Sequence, residues 1–470
     1  MTRTRRAYVE TYGCQMNISD GELMEGILEA RGYGIADRPE DADVILVNTC
    51  AIREHAEKRV LGRVGQLKGL KADNPDLVLG VTGCMAQRMG DDLARKAPWV
   101  DLVMGPDGYR SLPEALDRVR RGDVKSHETV VPAPSGRSKK RGPQLTVLDL
   151  DTGENYQGLE QRRTSDVAAW VPIQRGCDHR CTYCIVPYVR GPEKNRDPLE
   201  ILGEVAGIAA GGVTEVTLLG QTVNSWVSGD WSFARLLRSV ARVPGIRRVR
   251  FTSPHPNDLT EELVEVMAEE PAVCEQLHLP AQAGNDRTLK RMVRRYTVES
   301  FLEKVEMARK AIPDLSLSTD IIVAFPGETH EEFEDTLELM RTVRFDDAFT
   351  YKYSEREGTP ATRLPRDQFV PDDVAQSRLE RLIEVARGIQ AEINAGEVGR
   401  VEEVLVEKEA RDPGHLLGRT RRNKVVAFPG DLAHVGSYRT VALTSTTGAT
   451  FAGEAVDAGR PGALTAVAGD

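Results

Sequence analysis

Near-continuous apolar runs alternate with amphipathic stretches over residues 1–122. The runs cover residues 8–13, 44–49 and 77–83, and each leads to a Cys and then to a helical pattern. Helices are predicted over residues 19–30, 53–68 and 91–96. Strands of this kind, buried on both faces and alternating with helices, indicate a parallel α/β sheet.

A second alternating region extends over residues 167–397. Its predicted strands cover residues 168–174, 215–219, 248–252, 274–279, 316–323 and 347–353. An amphipathic helix over residues 372–393 follows them. Six parallel strands with helices between them predict a second, larger α/β domain.

Two other regions have a different pattern. Residues 123–166 lose the periodicity, and their segment 131–143 is small, polar and basic, which predicts a flexible linker. Residues 398–465 contain five short alternating strands, at 401–407, 416–420, 424–428, 437–443 and 451–456, separated by turn residues. This pattern predicts a small all-β barrel of the oligonucleotide-binding kind.

Composition narrows the class of protein. A chain of 470 residues has room for about three domains. The formal charge of −10 argues against a protein that simply coats nucleic acid. No apolar run is long enough to span a bilayer, and the basic N-terminus lacks an apolar signal core. Seven Cys residues without a paired pattern indicate a reducing compartment, so we expect a cytoplasmic protein without membrane contact.

The thiols of Cys177, Cys181 and Cys184 lie within eight residues of one another. Iron–sulfur cubanes normally have four thiolate ligands, so three thiolates leave one iron open for chemistry. A zinc set completed by His179 and a disulfide are the alternatives. Cys274, 90 residues beyond Cys184, is expected to be a buried core thiol.

Cys14, Cys50 and Cys84 each follow a predicted strand, at spacings of 36 and 34 residues. The carboxyl ends of parallel strands meet at one edge of a sheet, so these thiols are expected to converge there. Convergence predicts a second metal cluster. The alternative is three buried, inert thiols.

The sequence Cys177-Asp178-His179-Arg180-Cys181-Thr182-Tyr183-Cys184 resembles the signature of the radical S-adenosylmethionine enzymes. The resemblance implies a partial (β/α)6 barrel and a [4Fe–4S] cluster whose open iron binds S-adenosylmethionine, which is then cleaved to a 5′-deoxyadenosyl radical. Polar residues after the predicted strands, together with the aromatic residue of the motif, are candidates for contact with this cofactor: Tyr183, Gln221, Ser253, Gln282 and Asp320. Capping of the following helices is the alternative role for the polar ones.

Three N-terminal segments resemble the methylthiotransferase family: Gly13-Cys14-Gln15-Met16-Asn17, Asn48-Thr49-Cys50 and Gly83-Cys84. The resemblance implies an auxiliary [4Fe–4S] cluster, also with an open iron, where the transferred sulfur is handled. Gln15 and Met16 are most similar to the branch that acts on isopentenylated adenosine in tRNA.

The C-terminal segment resembles the TRAM domain, an RNA-binding barrel. Four cations of one basic stretch are candidates for RNA contact: Arg419, Arg421, Arg422 and Lys424. Phe428 and Tyr438 are candidates for base stacking. A structural cap is the alternative for this barrel. The run 290–296 is a second basic segment, either a solvated helix face or a contact for RNA phosphates.

Together these resemblances imply a tRNA methylthiotransferase that inserts sulfur at C2 of N6-isopentenyladenosine 37 and methylates it. Two [4Fe–4S] clusters, S-adenosylmethionine, the tRNA anticodon loop, a sulfur source and an electron donor such as flavodoxin or ferredoxin would be required, and a monomer is expected. No side chain is identified as a general base. The alternatives are threonylcarbamoyladenosine 37 or a ribosomal-protein aspartate as substrate and, in another class, a non-catalytic iron–sulfur RNA-binding protein.

Overall fold

The computed structural model describes residues 4–51, 54–123 and 144–456. Its N-terminal region is a six-stranded parallel sheet in the order β2-β1-β3-β4-β5-β6. The strands are β1 (Arg6–Thr11), β2 (Gly34–Ile35), β3 (Val44–Thr49), β4 (Val78–Gly83), β5 (Leu102–Met104) and β6 (Leu145–Val147). Five helices cover its faces: α1 (Gln15–Ala30), α2 (Glu54–Leu67), α3 (Cys84–Met89), α4 (Asp91–Lys96) and α5 (Leu112–Arg121). The predicted α/β sheet is confirmed.

The central region is an open half-barrel of six parallel strands. They are β7 (Ala168–Pro172), β10 (Glu215–Leu219), β13 (Arg248–Phe251), β14 (Gln276–His278), β15 (Ser316–Val323) and β16 (Asp347–Lys352). Two three-stranded sheets, β13-β10-β7 and β14-β15-β16, meet through a parallel bridge between Val249 and Val273. Two short antiparallel pairs flank them: β8 (Gln174–Arg175) with β9 (Lys194–Asn195), and β11 (Val227–Ser228) with β12 (Trp231–Ser232).

Helices follow the strands of the half-barrel, and those that contribute to its apolar core cover its outer face. The helices of this region are α6 (Val186–Arg190), α7 (Pro198–Ala210), α8 (Phe233–Ala241), α9 (Glu261–Glu269), α10 (Asp286–Arg291), α11 (Val298–Ala311), α12 (His330–Val343) and α13 (Asp372–Glu397). Alternation along β15 assigns the two faces, because Leu317, Ile321 and Val323 join the helix-covered core. Ser318, Asp320 and Ile322 therefore face the open interior.

The C-terminal region is a closed five-stranded barrel in the order β17-β18-β19-β21-β20. Its strands are β17 (Val401–Glu409), β18 (His415–Thr420), β19 (Val425–Pro429), β20 (Tyr438–Thr446) and β21 (Thr450–Ala455). Alternate side chains fill its core, including Phe428 and Phe451. The small all-β barrel is confirmed.

The segment between the α/β domains differs from the prediction. The basic stretch 131–143 lies outside the described residues, but β6 completes the N-terminal sheet beside β5. Farther along, Tyr156 is buried against Tyr109 and stacks under the Arg175 guanidinium at 3.5 Å. The strand β6 and Tyr156 are therefore packed against the α/β domains, which corrects the predicted flexible linker at these positions. No helix in the described part of the chain combines the length and apolar character needed to cross a bilayer.

Candidate functional site

Three Cys residues meet at the carboxyl edge of the N-terminal sheet. Cys14 caps α1 after β1, Cys50 follows β3, and Cys84 begins α3 after β4. Parallel register aligns the three strand ends, because β1 pairs with β3 and β3 with β4. A hydrogen bond with the Cys50 side chain lowers the pKa of Cys14 to about 6, whereas burial raises the pKa of Cys84. The predicted convergence of the three thiols is present.

Close backbone packing holds this edge together. A Cβ atom on Gly13 (φ +146°) would lie 2.7 Å from the Cys50 Cβ, so only glycine fits there. The Asn17 amide donates to the Thr49 carbonyl at 3.2 Å, and the Asn48 amide donates to the Asn17 carbonyl at 2.7 Å. These two buried amides fix the strand ends that carry the thiols.

The second thiol trio lies in the loop after β8, at the carboxyl end of the half-barrel. Cys177 Sγ lies 3.1 Å from Thr222 Oγ1, and burial raises the pKa of Cys177. Burial also raises the pKa of Cys184 to about 12. Thiols in such surroundings ionise when a metal binds them, because coordination replaces the lost solvation. Cys274 is 2% exposed and lies elsewhere, in the core, as predicted.

Each thiol trio has one thiol in contact with a buried arginine. The sequence analysis identified neither arginine as a site residue. Arg190 Nε donates to Cys84 Sγ at 3.2 Å, and Arg294 Nη1 donates to Cys181 Sγ at 3.4 Å. Arg294 belongs to the basic run 290–296, for which a solvated face or RNA contact was expected. Its burial at 9% exposure corrects that expectation for this residue.

The two trios occupy neighbouring walls of one interface. Cys84 packs in a buried cluster with Ala51, Ile185 and Val189. Ile185 directly follows Cys184, and Val189 lies on α6. The auxiliary thiols and the motif thiols are therefore separated by a short buried segment.

Backbone strain marks the ends of the half-barrel strands. Ser253, Gln282 and Ala324 have φ angles of +59°, +68° and +58°, which L residues rarely adopt. Each follows its strand, and the Gln282 N–H donates to the Asp320 carbonyl at 2.8 Å. Strain of this kind clusters at ligand sites. Two of these positions, Ser253 and Gln282, are predicted cofactor contacts.

The remaining cofactor candidates lie around the same opening. Gln221 Oε1 is buried and has no hydrogen-bond partner within the described ranges, as expected of an atom that meets a ligand. Asp320 Oδ2 lies 3.4 Å from His278 Nε2. Tyr183 packs against a buried cluster that includes Leu289 and Phe325.

Aromatic side chains line the open interior. Phe349 on β16 pairs with Asp320 on β15 and remains 48% exposed, and Tyr351, two residues along, is 38% exposed. The His278 ring meets Phe349 edge-on at 5.8 Å. The interior therefore offers aromatic surface beside a carboxylate.

Among the described residues, His179 groups with His255 and Asp258, whose potential ligand atoms all lie within 4.8 Å of one another, so this trio could hold a metal ion without the motif thiols. His179 stacks on His255 at 3.9 Å and lies 3.4 Å from Asp258 Oδ2. Burial, followed by the charge of Arg294, lowers the pKa of His255 to about 2. The contacts of the His179 ring are therefore with His255 and Asp258.

The basic turn of the C-terminal barrel requires a correction. Three of its four cations pair with carboxylates at the contact with the half-barrel: Arg421 with Glu275 at 2.8 Å, Arg422 with Glu397 at 2.8 Å and Lys424 with Asp346 at 2.7 Å. The side chains of Arg422 and Lys424 are only 8% exposed. Arg419 pairs with Glu407 of the same barrel at 3.1 Å and is the most exposed of the four, with 39% of its side chain accessible.

The two residues predicted to stack on bases also make contacts within the protein. Phe428 is buried in the barrel core at 1% exposure. Tyr438 lies under the Arg247 guanidinium at 3.7 Å, and its hydroxyl lies 2.9 Å from Thr214 Oγ1. Phe428 therefore belongs to the barrel core, and Tyr438 belongs to the contact between the barrel and the half-barrel.

Comparison with known proteins covers nearly the whole chain. Residues 6–105 match the uncharacterized protein family UPF0004, residues 171–340 the Radical SAM superfamily and residues 396–456 the TRAM domain. A tRNA-2-methylthio-N(6)-dimethylallyladenosine synthase of Carboxydothermus hydrogenoformans is 45% identical over 443 residues, 93% of this chain and 96% of the relative. The chain belongs to this synthase family.

Other members of the synthase family are equally similar. The protein of the same name from Thermobifida fusca is 46% identical over 451 residues, which cover 93% of this chain and 87% of the relative. Among solved structures, the radical S-adenosylmethionine methyltransferase TsrM of Kitasatospora setae has a TM-score of 0.55 at 15% identity. It covers 76% of this chain and 77% of its own, and the likeness supports the fold alone.

Proposed function

We propose that this chain is a tRNA methylthiotransferase that converts N6-isopentenyladenosine 37 to its 2-methylthio derivative, by radical sulfur insertion at C2 and methylation. Relatives that match over almost their full length carry the name of this activity. The observation that carries the proposal is the pair of thiol trios on neighbouring walls of one interface, joined by the contact of Arg190 with Cys84. A purine C2–H bond is not acidic, so acid–base catalysis alone does not serve this reaction.

The donor sets suit two clusters of different roles. Cys14, Cys50 and Cys84 would hold the auxiliary [4Fe–4S] cluster, and Cys177, Cys181 and Cys184 the radical one. Arg190 Nη1 is buried without an acceptor among the described residues, as a neighbour of cluster sulfides would be. When bound, a [4Fe–4S] cluster and S-adenosylmethionine supply one-electron chemistry for breaking a C–H bond. Tyr183, Gln221, Ser253, Gln282 and Asp320 would bind and orient that cofactor.

The open interior would receive the nucleoside. Exposed Phe349 and Tyr351 can stack on a flipped base or on its prenyl group, a contact worth roughly 1–3 kcal/mol per base. The C-terminal barrel would meet the tRNA on a surface other than its basic turn. An electron donor such as flavodoxin or ferredoxin, a sulfur source, a cytoplasmic location and a monomeric state complete the proposal.

Mass spectrometry of nucleosides from a deletion strain tests the substrate. We expect 2-methylthio-isopentenyladenosine to disappear, isopentenyladenosine to accumulate, and the wild-type gene to restore the product. Unchanged product would refute the assignment, and loss of the 2-methylthio-threonylcarbamoyl derivative would favour the alternative nucleoside. Anaerobic reconstitution with S-adenosylmethionine and dithionite tests the reaction class, because a non-catalytic protein would form no 5′-deoxyadenosine.

A further inference from the structure

Arg190 lies where the motif segment packs against the thiol of Cys84. It is the last residue of α6, which begins two residues after Cys184. Its Nε donates to Cys84 Sγ at 3.2 Å, and its Nη2 donates to Asp20 Oδ2 at 2.5 Å. Asp20 lies on α1, whose N-cap residue is Cys14. One guanidinium therefore links the motif segment to two elements of the auxiliary site.

The pair is almost completely removed from solvent. The side chains of Arg190 and Asp20 are 3% and 2% exposed. The Tyr156 hydroxyl approaches Asp20 Oδ1 at 3.5 Å and donates to the Pro106 carbonyl at 2.9 Å. Charges in such surroundings act over longer distances than at the surface, because little solvent screens them. Each member of the pair compensates the other at the edge of the auxiliary site.

Electrostatic surroundings control the electron affinity of iron–sulfur clusters. Their reduction potentials depend on net charge, on hydrogen bonds to the sulfurs and on solvent exposure. Arg190 supplies both a positive charge and a hydrogen bond to a predicted ligand sulfur, and Asp20 supplies the opposing charge. The two residues therefore act on the same quantity with opposite sign.

We propose that Arg190 and Asp20 form a positioning pair that sets the charge balance, and hence the reduction potential, of the auxiliary centre at Cys14, Cys50 and Cys84. This inference rests on the proposed function for the presence of that centre. Arg190 raises the affinity of the centre for an electron, and Asp20 holds the guanidinium in place and limits its effect.

The test is a redox titration, followed by electron paramagnetic resonance, of the full-length reconstituted protein. Cys177, Cys181 and Cys184 are replaced by Ala so that only the auxiliary cluster contributes. Arg190→Gln leaves Asp20 uncompensated, so the potential should fall. Asp20→Asn leaves Arg190 uncompensated, so the potential should rise. Arg190→Lys keeps the charge but loses the fork of donors, so its shift should be smaller than that of Arg190→Gln.

Arg196→Gln is the matched control. Arg196 is similarly buried and pairs with Glu204 at 2.7 Å, and its hydrogen bonds go to that carboxylate and to the Pro172 carbonyl. Its replacement should leave the potential unchanged. A purely structural role for Arg190 would give no opposed shifts in the Arg190 and Asp20 variants.

Shifts of the same sign, or no shift in variants with full iron content, would overturn the proposal. If Arg190→Gln does not retain iron, Asp20→Asn decides, and an unchanged or lowered potential in that variant overturns the proposal. The proposed function fails separately, through the absence of methylthiolated nucleoside in the wild type. Even then, a fully loaded auxiliary cluster whose reduction potential shifts in opposite directions in the Arg190 and Asp20 variants would support the proposed role of these two residues.

Discussion

Arg250 Nη1 donates to the main-chain carbonyl of Arg421 across 2.8 Å, from the half-barrel to the C-terminal barrel. Neighbouring Arg248 makes the same kind of bond to the Arg419 carbonyl at 2.9 Å. Arg248 begins β13, and Glu275 and Asp346, the partners of Arg421 and Lys424, directly precede β14 and β16, whereas the cofactor candidates lie at strand ends. The basic turn of the small barrel therefore closes the half-barrel at the end opposite the candidate site.

Arg250→Ala should loosen this closure. Arg250 also pairs with buried Glu215 at 3.1 Å, so its removal leaves a carboxylate poorly compensated and should destabilise the protein by about 3 kcal/mol. The apparent urea midpoint, measured by fluorescence, checks this. Arg411→Ala, at an exposed position of the same small barrel, should change stability by less than about 0.5 kcal/mol. Equal midpoints in the two variants would contradict the prediction.

Iron content should separate the two thiol trios. Replacing Cys84 by Ala should remove about four of eight irons per chain, because three thiolates are needed to retain a cubane. Cys274→Ala should keep all the iron, since that buried thiol belongs to the core. Iron and acid-labile sulfide, measured after anaerobic reconstitution, decide between these outcomes. A Cys84→Ala protein that retains all its iron would exclude Cys84 as a ligand of the proposed auxiliary cluster.

Glu328 should make stability depend on pH. Burial outweighs the hydrogen bond from Ala324 and the ion pair with Arg378, and raises the pKa of Glu328 to about 7. The folded state then binds more protons than the unfolded state between about pH 4.5 and 7. This contribution is present at low pH and is lost as pH rises through 7.

Thermal melts at pH 5.5 and 8 would measure the effect. The fall in Tm between these conditions should be smaller in Glu328→Gln, which does not titrate, than in the wild type. A pH dependence unchanged by the substitution would show that the carboxyl group is ionised throughout.

Phe349→Ala should weaken substrate binding. The exposed ring lies on the interior face beside Asp320, and loss of one stacking partner should raise KM for tRNA about tenfold with a smaller effect on kcat. Leu199→Ala removes a 70% exposed side chain from the outer helix α7 and should leave both constants unchanged. Equal KM values in the two variants would remove Phe349 from the proposed nucleoside site.

Two substitutions can distinguish the effect of backbone strain at Gln282 from the effect of a contact between its side chain and the cofactor. Its φ of +68° favours Gly, so Gln282→Gly should be more stable than Gln282→Ala by about 1 kcal/mol. If the amide contacts S-adenosylmethionine, both variants should lose the same cofactor affinity in equilibrium dialysis. Weaker binding only in the Ala variant would assign the effect to backbone geometry.

Much of the fold could be predicted because its strands are long apolar runs with a clear period. The bounds of β10 and β15 agree with the prediction at every residue. The convergence of Cys14, Cys50 and Cys84 followed from the rule that parallel strands end at one edge. These inferences need only local pattern and topology.

The roles of the arginine and lysine side chains could not be predicted from local pattern and topology. Arg421 finds its carboxylate 146 residues away at Glu275, and Arg190 finds Asp20 at a separation of 170 residues. A basic stretch has the same appearance whether its partners are phosphates of a ligand or carboxylates of another domain. Only the tertiary structure distinguishes the two.

The residues that pack around Cys84, namely Ile185, Val189 and Arg190, come much later in the sequence than Cys84 itself. Arg190 lies 106 residues after Cys84, so a ribosome that has just finished the three N-terminal thiols has not yet synthesised their cover. A metal cluster held by Cys14, Cys50 and Cys84 would therefore reach its final surroundings only after α6 has been translated. A cluster bound to these thiols before that point would lack the side of its surroundings that Arg190 later supplies.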